Sequence, residues 1–200
     1  MKVIDGSGSA ATLRFAVIQS TFNDAVTKRL LDGALEALRL GGAKDDAVDV
    51  ILVPGAFEIP LVAAQLAKTR RYDALVCLGA VIRGETPHFE YVSAVVSQGI
   101  ARVSYEYGVP VIFGVLTTDT EAQADARSTN VGSTNRVGAP APGLTDVPGS
   151  HGGDGSNKGY EAGRAAIEMA NLMKKLPLRR PSSSRGPKSP RRNHPRRRTP

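Results

Sequence analysis

Residues 74–82, Ala-Leu-Val-Cys-Leu-Gly-Ala-Val-Ile, form an apolar run with no charged side chain and no alternation of polar and apolar positions. A strand with that pattern is buried on both faces, which happens in parallel sheets covered by helices. Three more apolar runs, 13–19, 48–53 and 111–116, are separated from it and from one another by helical patterns. The helices are expected at 24–40, 58–68, 87–107, 121–127 and 159–176. The first carries leucines 30, 31, 35 and 38 at helical spacing and stops at Gly41-Gly42. Strands and helices in alternation, joined by right-handed crossovers, give an α/β fold: a three-layer αβα sandwich around a four-stranded parallel sheet. Ligands of such sheets bind beyond the carboxyl ends of the strands.

Those strand ends carry the chain's most informative side chains. After the third run comes Arg83-Gly84-Glu85-Thr86-Pro87-His88. Thr is a preferred N-cap and Pro suits the first helical position, so a helix is expected to start here with His88 second. The unpaired amides of the turn make a candidate anion site beside an imidazole that trades protons near neutral pH. Phe22-Asn23 follows the first run, where Asn23 reads as an N-cap and Phe22 as a staple residue when taken alone. Gly55-Ala56-Phe57-Glu58 follows the second, with Glu58 placed to complement a helix dipole. Thr117 or Thr118 is expected to cap the fourth helix. Arg127 ends it, where a cation is ordinary. An aromatic, a carboxylate, an imidazole and an arginine on successive strand ends are nevertheless an unusual conjunction, and it suggests chemistry on a phosphorylated small molecule.

The formal charge of +7 misleads, because residues 177–200 hold nine of the 26 basic residues and none of the 19 acids. The remainder carries −2. This Pro/Arg/Ser tail has no apolar period and is expected to be disordered. It has no aromatic residue on which bases would stack, so no specific nucleic-acid partner is expected. Residues 1–12 read as a flexible arm without the apolar centre of a signal peptide, and no run approaches the length of a membrane span. A soluble, cytoplasmic protein is expected. The single cysteine, Cys77, reads as a small buried strand residue. Residues 128–156, rich in Gly, Ser, Thr, Asn and Pro, read as a long loop inserted before the last helix.

In order along the chain, Phe22-Asn23, Pro54-Gly55-Ala56-Phe57-Glu58-Ile59-Pro60, the block from Leu78 to Phe89, Gly108 to Thr117, and Asn157-Lys158-Gly159-Tyr160-Glu161-Ala162 resemble the 6,7-dimethyl-8-ribityllumazine synthase family. The likeness implies a flavodoxin-like domain over residues 13–176. It implies condensation of 5-amino-6-(D-ribitylamino)uracil with 3,4-dihydroxy-2-butanone 4-phosphate, the penultimate step of riboflavin synthesis, without metal or organic cofactor. By the same likeness His88 shuttles protons, and Gly84, Glu85, Thr86 and Arg127 receive phosphate. Phe22 stacks on the pyrimidine, Asn23 and Glu58 meet the ribityl chain, and Ala56, Phe57, Val81 and Ile82 line the ring. Phe113 and Lys158 close the pocket, with Glu161 orienting a cation. Phe113 and Arg127 come from a neighbour in a homopentamer. The departure is residues 128–157, where family members have only a few positions; it bears on the placement of Lys158 and favours a free pentamer over a closed shell of pentamers. A binding protein that has lost turnover would need neither His88 nor Arg127.

Overall fold

The computed structural model describes residues 1–129 and 157–177. Four strands, β1 (Phe15–Ser20), β2 (Val48–Val53), β3 (Ala74–Ile82) and β4 (Val111–Thr118), form one parallel sheet in the order β2-β1-β3-β4. Five helices accompany them: α1 (Asp24–Leu40), α2 (Ile59–Thr69), α3 (His88–Tyr107), α4 (Glu121–Ser128) and α5 (Lys158–Lys175). The inserted loop expected at 128–156 lies, apart from its first two residues, outside the described residues. So does the basic tail beyond Pro177.

Side chains along β1 alternate between two cores, as the pleat requires. Phe15 and Val17 join Val76, Leu78 and Leu30 under α1 and α5. Ala16 and Ile18 join Leu75, Cys77 and Ile59 under α2 and α3. β1 and β3 are buried throughout except Ile82 at the end, which is why β3 and the first four residues of β1 read as unbroken apolar runs. Burying a leucine or isoleucine contributes about 1.5–3 kcal/mol. The layers close tightest between α1 and α5, where a Cβ on Gly159 would sit 1.9 Å from the Leu30 carbonyl oxygen. Only glycine allows that approach, so the start of α5 is seated directly on α1.

Several expected boundaries move. α3 begins at His88, and Thr86 makes no capping bond; Pro87, with φ −68° and ψ 8°, occupies the cap position. His88 is therefore the first helical residue. Pro60 lies in the first turn of α2, so Ala56–Glu58 forms a separate 3-10 turn ahead of it. β4 runs on to Thr118, and Thr120 caps α4 by accepting a hydrogen bond from the Gln123 amide at 3.2 Å. Residues 1–12, expected to be a flexible arm, lie partly against α5: Lys175 Nζ donates to the Ser7 carbonyl at 2.7 Å, and Ala10 is fully buried.

Candidate active site

β1 connects to β2 on one side and β3 lies on its other side, so the chain reverses its direction of travel between β1 and β3. A crevice opens at such a reversal, beyond the strand ends. Asn23 bridges it. Its backbone is left-handed (φ 58°, ψ 48°), a conformation asparagine tolerates better than most residues. The side chain caps no amide of α1, contrary to its expected use; Nδ2 instead donates to the Ala80 carbonyl of β3 at 2.9 Å.

Phe22, Phe57 and His88 each follow the end of a strand, β1, β2 and β3 in turn, and all are exposed, Phe22 at 67% and Phe57 at 55%. Large aromatics left in water beside a crevice are unusual unless a flat ligand or another chain covers them. Ala56 is buried, and the Glu58 carboxylate folds over Gly55, whose Cβ would lie 2.9 Å from Glu58 Oε2. Val81 and Ile82 end β3 opposite Thr117 and Thr118. Beyond them the amides of Gly84, Glu85 and Thr86 have no acceptor among the described residues.

Phe113, Arg127 and Lys158 lie elsewhere. They line a groove of about 430 Å³ along the open edge of β4, together with Thr117 and Glu161. Phe113 pairs with Cys77, four residues before the register partner of Val81, which is about 13 Å along the strand. Arg127 Nη1 donates to its own helix at the Gln123 carbonyl (3.0 Å). Lys158 Nζ is held by both Glu161 carboxylate oxygens at 2.9 and 2.8 Å. The sequence-derived residues thus form two sets, one at the ends of β1, β2 and β3 and one on the β4 edge.

Two organising residues escape a reading of the sequence. Asn157 is buried; its Oδ1 accepts from the Gly159 and Tyr160 amides, while Nδ2 donates to the carbonyls of Arg29 (2.8 Å) and Ser128 (2.6 Å). Its signal was an N-cap asparagine with helix pattern directly after it. Arg83 is the second, tied to Glu90 and Asp119; a cation in a block of glycine and acids was its only mark. Cys77 is fully buried, and burial pushes its thiol far above the usual range. No group of three or more metal-ligating side chains occurs among the described residues, and no helix there is long and apolar enough to cross a membrane.

A parallel α/β sandwich with exposed aromatics after the strand ends beside its reversal and an amide-rich turn opening a helix is the form of a small-molecule enzyme that handles an anion. The chain belongs to the 6,7-dimethyl-8-ribityllumazine synthase family, whose model matches residues 12–174. It is similar to the 6,7-dimethyl-8-ribityllumazine synthases of two Clostridium kluyveri strains, 46% identical over 176 residues in each case. Those matches cover 88% of this chain and 99% of the relatives.

Proposed function

We infer that the crevice and the β4 groove are two halves of one active site, contributed by adjacent copies of the chain. The reaction is that of the family: 5-amino-6-(D-ribitylamino)uracil condenses with 3,4-dihydroxy-2-butanone 4-phosphate, releasing phosphate and water, to give 6,7-dimethyl-8-ribityllumazine. The observation that carries the two-half reading is that Phe113, Arg127 and Lys158 share a groove whose lining includes none of Phe22, Glu58 and His88.

In this reading Phe22 stacks on the pyrimidine face, and Asn23 and Glu58 hydrogen-bond the ribityl hydroxyls. Asn23 Oδ1 is suited to this, since only Nδ2 is bonded to Ala80. Ala56, Phe57, Val81 and Ile82 frame the ring. The amine attacks the ketone, and the resulting imine must lose phosphate and enolise before the second amine closes the ring. His88 carries the protons for those steps. The Gly84, Glu85 and Thr86 amides, with the Thr86 hydroxyl, receive the phosphate from one side, and Arg127 of a neighbouring copy from the other. Phe113 and Lys158 of that neighbour close over the ring, Glu161 steadying Lys158.

The assembly proposed is the homopentamer that the family resemblance implies, a head-to-tail interface being one that closes only as a ring. Unpartnered apolar side chains on α3, Tyr91, Val95 and Tyr105, and on the β2 edge, Val50 and Leu52, supply faces for it. The soluble, phosphorylated substrate fits a cytoplasmic setting. Purified protein given both substrates should accumulate lumazine absorbance and release one phosphate per product over many turnovers; binding without turnover would contradict the assignment.

A further inference from the structure

We propose that Arg83 is a positioning residue for this reaction, holding the loop that carries the phosphate-binding amides and His88. The proposal rests on the reaction assigned above. Arg83 stands where the chain leaves β3. Its backbone N–H donates to the carbonyl of Thr118, the last residue of β4, at 2.8 Å. Its Nε donates to Asp119 Oδ1 at 2.7 Å, and Nη1 pairs with the Glu90 carboxylate. The guanidinium also lies over the Phe89 ring, 4.3 Å from its centre. One side chain therefore touches the sheet edge beyond β4 and the first turn of α3.

The loop between has little else to hold it. Glu85, Thr86 and His88 make no side-chain hydrogen bond among the described residues, and a Cβ on Gly84 would meet nothing within 4 Å. The start of α3 has no side-chain cap. Residues 84–88 are thus pinned at both ends through Arg83 and left open to solvent between. A phosphate-binding arginine would offer its donors to the ligand; here two of them are committed to carboxylates and the plane is stacked on a ring. That favours a role in geometry. Ion pairs this exposed add little to global stability, whereas misplacing a reacting group by about 1 Å costs about 100-fold in rate.

Arg83→Gln is expected to lower kcat at least about tenfold and to raise KM for the phosphorylated ketone. KM for the pyrimidine and the thermal midpoint should stay nearly unchanged. Arg83→Lys should recover only part of the loss, since an ammonium cannot bridge two carboxylates and stack at once. Combined with His88→Ala, Arg83→Gln should cost less in kcat than it does alone, because the imidazole it helps to position is already gone. Nitrogen-15 relaxation should show lowered backbone order at Gly84, Glu85, Thr86 and His88 in Arg83→Gln, with little change elsewhere. Unchanged order in that loop, or losses that multiply in the double variant, would overturn the proposal. The relaxation measurement needs no substrate, so a wild-type protein without turnover would defeat the assigned reaction while the loop measurement still decided the role of Arg83.

Discussion

Asn157 Nδ2 donates to the Ser128 carbonyl across 2.6 Å, so the two ends of the segment 128–157 are in direct contact. Asn157 also holds Arg29 of α1 and caps α5. The register of α5, and with it the position of Lys158, is fixed by these bonds and by the close seat of Gly159 on α1. The segment's length need not enter. Replacing residues 130–156 by a short Gly-Ser link should leave folding and turnover intact, as should ending the chain at Pro177. Circular dichroism and steady-state rates would check both, and loss of turnover in a folded deletion would show that the segment serves the site.

Asn157 itself is expected to be sensitive. Asn157→Ala removes a cap, typically worth about 1 kcal/mol. It also strands the buried Ser128 carbonyl, at about 1–3 kcal/mol. Asn157→Asp keeps the cap acceptor and loses both donors. Denaturant titration should therefore rank wild type above both variants, with a total loss in the alanine variant of about 2–4 kcal/mol. An unchanged midpoint would contradict the hub role.

His88 is exposed at the first position of α3 and makes no side-chain hydrogen bond among the described residues. His88→Ala should therefore keep the fold. As a general acid–base group it should be worth about 10²–10⁴-fold in rate, toward the lower end if positioning dominates. Wild-type turnover by the variant would remove His88 from the mechanism.

Cys77 should be inert in the native protein. Its thiol is fully buried between α2 and α3, and burial holds it in the unreactive protonated form. A thiol reagent should label it only at the rate of unfolding; fast labelling would mean that β3 opens.

Much of the fold was legible because its cause is local. Fully buried strands such as 74–82 carry no polar side chain, and the helices between them end at Gly41 and Gly108, the latter left-handed at φ 66°. The misjudged positions are those where a side chain served a distant partner. Asn23 looked like a cap and bonds Ala80, 57 residues away. Asn157 binds α1 and the end of α4, and Arg83 binds a turn beyond β4. The division of the site into two sets was also beyond pattern, because strand order decides that β4 is an edge. Only the resemblance hinted at it, through Phe113 and Arg127; that Lys158 lies with them emerges from the fold.

That division gives the sharpest test of the proposed assembly. His88→Ala and Arg127→Ala damage different halves. Arg127→Ala alone should weaken the phosphorylated ketone more than the pyrimidine, since a guanidinium–phosphate contact is lost. If each site joins the crevice of one copy to the β4 groove of the next, a mixture assembled from both variants regains whole sites. A site is whole when its crevice comes from the Arg127→Ala chain and its groove from the His88→Ala chain. Random assembly makes that about a quarter of all interfaces in an equal mixture. Unfolding and refolding the two variants together should therefore recover up to about a quarter of wild-type activity per site, while each refolded alone stays slow. Scattering should report a ring of five in all three preparations. Activity in the mixture no greater than the mean of the two variants would mean that each chain carries a complete site of its own, and the two-half reading would fall.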